Sequence, residues 1–362
     1  MTQPLAPITA LGEQIAAGWL AAGRDPTALP AIATDALTAA RIPERVAVSD
    51  LTGWVLRCPR SAFPEQADPL AQFGDPPVTL WRGAQLRIDL QLWVDSAPDI
   101  HDHAFSGAFQ VLAGQSLAGR YTFTESSRYG PSLRLGAITQ TALERLQVGD
   151  VCPIAPGSGL IHSLFHLDRP SATLVVRTDS TPDFAPQSIY LTPGIACASY
   201  PAQLRDDPLY QRRMQLLGFF QRTGDPAYSD ALYATMAEAD PIQALTVLGY
   251  VFDALAAGPS GEAGAAEQLS GLLATTTQRY PPLGPLLLPV LLQAHRRKRI
   301  VSAREAVPEP ALRTLLALLL YAEDRESLER LVPDPDPAAW LARSCDALAA
   351  RGLEIALPDA RP

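Results

Sequence analysis

Five histidines occur among 362 residues, and two of them, His101 and His103, stand one residue apart in the run IHDHAFSG. In extended backbone such a pair projects to one face with Cα atoms about 6.6 Å apart, so two imidazoles can converge on one ion. A third, His162, follows Gly149-Asp150, Pro156 and Gly159, a pattern of strand and tight turn that delivers a histidine from a neighbouring strand. Neutral imidazoles suit several transition metals, so this set of His101, His103 and His162 does not choose among iron, zinc, nickel and copper. His166 lies four residues beyond His162, about 13 Å along an extended strand, and is expected to brace the site rather than reach the same ion. The fifth, His295, opens the basic run His295 to Arg299, which reads as a solvated helix end favoured by the helix dipole.

The elements that must hold these side chains change character twice along the chain. Residues 1–45 alternate Ala-rich apolar runs with helix punctuation at Thr9 and at Asp25-Pro26-Thr27, which predicts two short helices. Residues 46–200 carry strand-like runs broken by Gly, Pro and Ser, and predict an all-β region. Its clearest strand is Leu86 to Val94, where Leu86, Ile88, Leu90, Leu92 and Val94 alternate with Arg87, Asp89, Gln91 and Trp93. An antiparallel sheet commonly has one wet face, so the odd-numbered set is expected in solvent. Residues 201–362 switch to helical periodicity, opened by Asp-Pro signals at Asp207, Asp225 and Asp240, and predict an α-helical domain without a repeat.

Composition bounds the rest. With 47% hydrophobic residues, a net charge of −9 and 19% charged residues, the chain reads as a soluble globular protein. The acidity argues against nucleic acid or an anionic membrane as partner. Residues 1–30 do not read as a signal peptide, and the apolar run Leu283 to Leu292 is interrupted by two prolines and falls short of the ~20 residues of a membrane span. A cytoplasmic protein is expected. Cys58, Cys152, Cys197 and Cys345 are scattered with no CxxC pair, so reduced thiols are expected, with Cys152 the one nearest the proposed site.

The run IHDHAFSGAFQVLAG resembles the first cupin motif, a glycine, five residues, HxH, a glutamate and a second glycine. His101, His103 and Gly114 fit, while Asp95 stands at the leading glycine and Gly107 at the glutamate. Gly149, Pro156, Gly159 and His162 resemble the second motif, with one extra residue before the proline and His166 in place of asparagine. The longer stretch LQLWVDSAPDIHDHAFSGAFQVLAG is similar to cysteine dioxygenase and related thiol dioxygenases, over residues 78–178. The resemblance implies an α+β protein built on a cupin-type antiparallel β-barrel, or jelly roll. It further implies ferrous iron held by His101, His103 and His162, with dioxygen as co-substrate.

Residues that meet substrate in that family are replaced here. Ala108 stands at the position of the cross-linked cysteine, and Thr173, Val175 and Arg177 stand where the family carries Ser, His and Tyr. Arg177, at a barrel-lining position, is suited to grip a carboxylate bidentately. Arg82, in VTLWRG, lies near the family's carboxylate-binding arginine. Arg87, Asp89 and Gln91 would join a polar pocket if their strand face lines the barrel, with Gln110 a further candidate; Tyr121 or Tyr190 could supply a phenol. The expected activity is addition of dioxygen to a small thiol or amino-acid-like substrate. Another metal-dependent cupin enzyme and a ligand-sensing cupin stay open. The helical domain is expected to cap the barrel, form a homodimer or recruit a protein partner.

Overall fold

The computed structural model describes residues 4–66, 74–95, 99–179, 185–198, 207–257, 265–322, 324–353 and 357. Contacts divide the chain into two compact units: residues 1–121, 140–185 and 299–362 form one, residues 122–139 and 186–298 the other. The units therefore do not follow the boundaries at 46 and 201. Residues 299–362 belong with the unit that carries His101, His103 and His162.

Four helices lead the first unit: α1 (Ala6–Ala21), α2 (Leu29–Ala40), α3 (Ile42–Arg45) and α4 (Val48–Arg57). The expected pair is present, and α4 occupies sequence that had been expected to be strand. Its run VSDLTGWVLR is rich in β-branched residues but buries Leu51 on one side, an amphipathic helix whose packing overrides propensity.

Eleven strands follow: β1 (Pro77–Arg82), β2 (Leu86–Trp93), β3 (Ile100–His103), β4 (Gly107–Ala113), β5 (Ser116–Tyr129), β6 (Leu133–Leu146), β7 (Val151–Ile154), β8 (Gly157–His166), β9 (Ser171–Thr178), β10 (Ser188–Leu191) and β11 (Ile195–Ala198). They form a five-stranded sheet in the order β1-β2-β9-β4-β7 and a closed barrel in the order β10-β11-β6-β5-β8-β3. The paired strands are antiparallel. The fold is thus mixed helix and strand, with a closed antiparallel β-barrel between N-terminal helices and a C-terminal helical region.

Alternation sends the two faces of the five-stranded sheet to different cores. Leu86, Ile88 and Leu90 of β2, with Leu174 and Val176 of β9 and Ala108 of β4, pack against Ile8, Leu11 and Leu37 of the leading helices. The opposite face of β4, β7 and β9 supplies Phe109, Cys152 and Val175 to an inner cluster with Ala118, Leu160 and Leu164. The odd face of β2 is also inside: Asp89 and Gln91 are buried and Arg87 is half-buried, correcting the expectation of a wet face. The leading helices cover the even face, so both faces of this strand are enclosed.

The helices after the barrel are α5 (Pro208–Thr223), α6 (Tyr228–Glu238), α7 (Pro241–Ala257), α8 (Ala265–Arg279), α9 (Gly284–Glu305), α10 (Pro310–Tyr321), α11 (Arg325–Leu331) and α12 (Pro337–Ala349). The Asp-Pro signals act as read: Asp207 accepts the Tyr210 N–H, Asp225 that of Ala227, and Asp240 those of Ile242 and Gln243. In the first unit, Leu315, Leu316 and Leu319 of α10 share a core with Leu117 of β5 and Phe165 of β8. Among the described residues no helix is long and apolar enough to cross a membrane.

Candidate metal centre

β3 carries His101 and His103, and β8 carries His162. His101 and His162 are register partners across the two strands, with a register irregularity between His101 and His103. The three ring centroids stand 4.8, 4.8 and 4.9 Å apart, and one ligand nitrogen from each lies within 4.8 Å of the others. All three side chains are buried. The sequence reading of these residues as a convergent set matches their placement.

Burial keeps the His103 and His162 rings neutral, as metal ligation requires. Burial holds His103 well below the usual imidazole range, reinforced by His101, His162 and Arg177 and opposed by a hydrogen bond to the Leu160 backbone. Burial likewise holds His162 well below it, aided by His101 and Arg120. His101 Nδ1 lies 2.7 Å from the Asp99 carbonyl oxygen. A carbonyl only accepts, so Nδ1 carries the proton and Nε2 presents a lone pair, the arrangement common among metal-bound histidines. His103 Nδ1 is buried with no hydrogen-bond partner among the described residues, an otherwise costly state that a metal ligand relieves. These residues fit a metal ion.

Among the described residues no carboxylate joins the three, and packing explains why the expected position supplies none. Gly107, at the position of the expected glutamate, pairs with both Arg177 and Ile154, and a Cβ there would overlap the Val176 carbonyl oxygen. The close approach of β4 and β9 therefore demands glycine.

Around the histidines, Phe105 meets His103 edge-on at 4.9 Å, and Phe109 stands 6.2 Å from His162. The Arg177 guanidinium lies 3.5 Å over the Phe105 ring, a cation–π contact, and that ring in turn meets His103. Burial pulls its pKa down to about 9, with Arg87 adding to the effect and Asp89 and Asp179 opposing it. Arg87 is the register partner of Arg177 and bonds both carboxylates, Asp89 at 2.9 Å and Asp179 at 2.5 Å.

The other sequence candidates separate. Arg82 is exposed on β1, 3.6 Å from Asp179 and 3.9 Å from Glu65. Gln91 is buried on the inner face, opposite Thr173. Gln110 lies on the outer face and donates to the carbonyls of Gly149 at 3.2 Å and Leu37 at 3.5 Å, so it joins the sheet to α2 and is not a pocket residue. Tyr121 pairs with Ile161, on the face of β8 opposite His162, and accepts from Gln140. Tyr190 belongs to the second unit, where Arg134 donates to its hydroxyl.

His166 stands apart from the three ligands. Its Nδ1 bonds the hydroxyls of Ser116 and Ser171 at 3.0 and 2.9 Å, and its ring stacks on Trp93 at 4.5 Å. Burial, with Arg304, lowers its pKa to about 3. Cys152 lies on the inner wall as register partner of Phe109, and burial pushes its thiol up to about 11, an unreactive state.

Arg120 was not singled out from sequence. It is the register partner of His162, on the same face, and pairs with Glu144 at 3.3 Å. Only the β5–β8 pairing identifies it, because nothing near Arg120 in sequence resembles a motif.

No protein-family model matches the chain, and no curated protein matches it. Solved structures with some likeness include DMSP lyase DddQ from Ruegeria pomeroyi DSS-3, at 16% identity and a TM-score of 0.23, covering 40% of this chain and 60% of that one. Another is a cupin-2 domain containing protein from Shewanella frigidimarina NCIMB 400, at 15% identity and a TM-score of 0.21, covering 30% and 86% respectively. A third is hydroquinone 1,2-dioxygenase PnpCD, at 13% identity and a TM-score of 0.22, covering 29% and 63%. The chain thus spans less than two thirds of the lyase and of the dioxygenase. At such TM-scores these likenesses carry no weight for the function of this chain.

Proposed function

We propose that this chain is a mononuclear non-haem iron(II) oxygenase of thiol-dioxygenase-like type, cupin-built, that adds dioxygen to a small thiol or amino-acid-like substrate. The observation that carries this reading is the convergence of three buried imidazoles with, among the described residues, no carboxylate joining them. The resemblance of the IHDH segment to thiol dioxygenases favours iron over the other metals that such a set accepts.

His101, His103 and His162 would hold the metal, which when bound supplies open positions for substrate and dioxygen. The chain's own residues then do the positioning. Asp99 fixes the His101 tautomer through its carbonyl. Phe105, Phe109 and Leu160 exclude water and lower the local dielectric, which strengthens every charge interaction inside. Arg177 offers a guanidinium for the acidic group of the substrate, held in place by the Phe105 ring. Among the described residues no carboxylate joins the three histidines to act as a general base, so the substrate donor must arrive already anionic or lose its proton on binding.

The test is anaerobic reconstitution with ferrous iron, metal analysis, and oxygen uptake against a panel of small thiols and amino acids. Stoichiometric iron with thiol-dependent oxygen uptake is the expected result. Iron retention with no uptake for any thiol would count against the oxygenase reading.

A further inference from the structure

The strand that carries His162 is gripped from behind. Alternation sends His162 and Leu164 of β8 inward, and Ser163, Phe165 and Leu167 outward to the C-terminal segment of the same unit. Helix α10 lies on that outer face. At one end Arg313 donates from Nε to the Leu167 carbonyl at 2.8 Å, and at the other the Ser163 hydroxyl donates to the Tyr321 hydroxyl at 2.9 Å. From Arg313 to Tyr321 the helix rises about 12 Å, and from Leu167 to Ser163 the strand spans about 13 Å. The lengths match, so helix and strand run side by side in opposite directions with both ends pinned. Between the pins Phe165 shares a core with Leu315, Leu316 and Leu319, and the Tyr321 ring meets Phe165 edge-on at 6.5 Å.

Arg313 also reaches towards the second ligand strand. Its Nη1 meets Asp95 Oδ1 at 3.0 Å, and Asp95 stands four residues before Asp99, whose carbonyl sets the His101 tautomer. One guanidinium thus joins the exit of β8 to the approach to β3. Arg304, at the end of α9, repeats the grip: it donates to the His166 carbonyl, lies over the Phe165 ring at 4.4 Å and stands 3.9 Å from Asp95. Both arginines and Tyr321 are buried. Apolar packing alone would hold α10 on the barrel and let it slide; directional bonds to the backbone and to Ser163 fix where the strand sits.

We propose that α10 is a splint for the metal centre, with Tyr321 and Arg313 as positioning residues. They act on β8 through Ser163 and the Leu167 carbonyl, and on the approach to β3 through Asp95, and so fix the spacing of His162 from His101 and His103. The proposal rests on the metal-site reading above and gives a role to a C-terminal segment that supplies none of the three histidines. Ligands held in place in advance bind a metal more tightly than ligands that binding must order.

The test is titration of the full chain with cobalt(II) alone, read by its visible d–d absorption, which reports ligand geometry as well as occupancy. Tyr321→Phe and Ser163→Ala remove one hydroxyl each from the two sides of the same bond. Each should weaken cobalt(II) binding about fivefold, the scale of one hydrogen bond, and alter the d–d bands. The double variant should be no weaker than the weaker single one. Arg313→Lys keeps the charge without the planar fork and should weaken binding about tenfold; the two hydroxyl variants decide the matter if it does not fold. A merely structural role would lower the melting temperature and leave the affinity and bands of the folded chain unchanged. Unchanged affinity and bands in either folded hydroxyl variant, or losses that add in the double variant, would overturn the proposal while leaving the three ligands in place. A wild-type chain that takes up neither cobalt(II) nor ferrous iron would instead remove the metal site on which it rests.

Discussion

Gly107 passes so close to Val176 that the strand pair β4 and β9 has no room for any side chain at that point. The position of a would-be carboxylate ligand is therefore closed by backbone, and the neutral character of the histidine set follows from sheet packing. Gly107→Glu should not add a fourth ligand. It should destabilise the fold by about 3 kcal/mol, the scale of forced overpacking, read as a lowered urea midpoint. A stable Gly107→Glu protein with an unchanged midpoint would contradict the packing.

Metal retention should depend on each ligand. His162→Ala should reduce bound iron from stoichiometric to trace after desalting, while His166→Asn should leave it intact, since His166 bonds Ser116 and Ser171 instead. Elemental analysis of both variants decides the matter, and iron at wild-type level in His162→Ala would refute the ligand assignment.

Acid sensitivity should trace partly to His166. Its folded pKa of about 3 lies below the ordinary imidazole value of 6.5, so the unfolded chain binds the extra proton between those values. Its stabilising contribution is full above 6.5 and falls as pH drops from 6.5 towards 3, by at most about 5 kcal/mol. The difference in unfolding free energy between pH 7 and pH 4.5 should be smaller in His166→Asn than in the wild type; identical pH slopes would count against this account.

Asp95 should matter more than its exposure suggests. It bonds Arg313 at 3.0 Å and Arg169 at 2.9 Å and lies 3.9 Å from Arg304, and the guanidinium groups of Arg304 and Arg313 are buried. Asp95→Ala leaves buried positive charge uncompensated and should cost about 3 kcal/mol, whereas Arg169→Ala, at a half-exposed partner, should cost under about 1 kcal/mol. Denaturant titration of the two variants should show that order, and the reverse would exclude a buried ionic junction here.

Thiol reactivity gives a fifth check. Burial raises the thiols of Cys152 and Cys197 to about 11 and about 12, so both stay protonated at pH 8. A thiol-specific reagent should leave them unmodified in the native chain and modify them in urea, as peptide mass spectrometry would reveal. Rapid native labelling of Cys152 would contradict its place on the inner wall.

Much of the site was legible in local spacing. His101 and His103 must share a face because they are two residues apart in a strand, and the turn residues before His162 announce a returning strand. The Asp-Pro openings announce helix starts because an Asp side chain satisfies the first free N–H groups. What failed was orientation. The odd face of β2 read as wet because alternation has no sign, and only the helices α1 and α2 on the even face send Arg87, Asp89 and Gln91 inward. Gln110 read as a pocket residue for the same reason, and the structure turns it outward to Leu37 and Gly149.

By itself, then, the amino-acid sequence determined which residue types recur at strand and helix spacing, and hence the three imidazoles and the order of elements. Those features depend on covalent neighbours a few residues apart. Tertiary structure alone decided that Arg120 stands opposite His162, that Gly107 admits no carboxylate, and that Arg87 takes both Asp89 and Asp179, leaving Arg177 no ion-pair partner among the described residues. These are relations between strands distant in the chain, and no local pattern encodes which of two arginines reaches a carboxylate first.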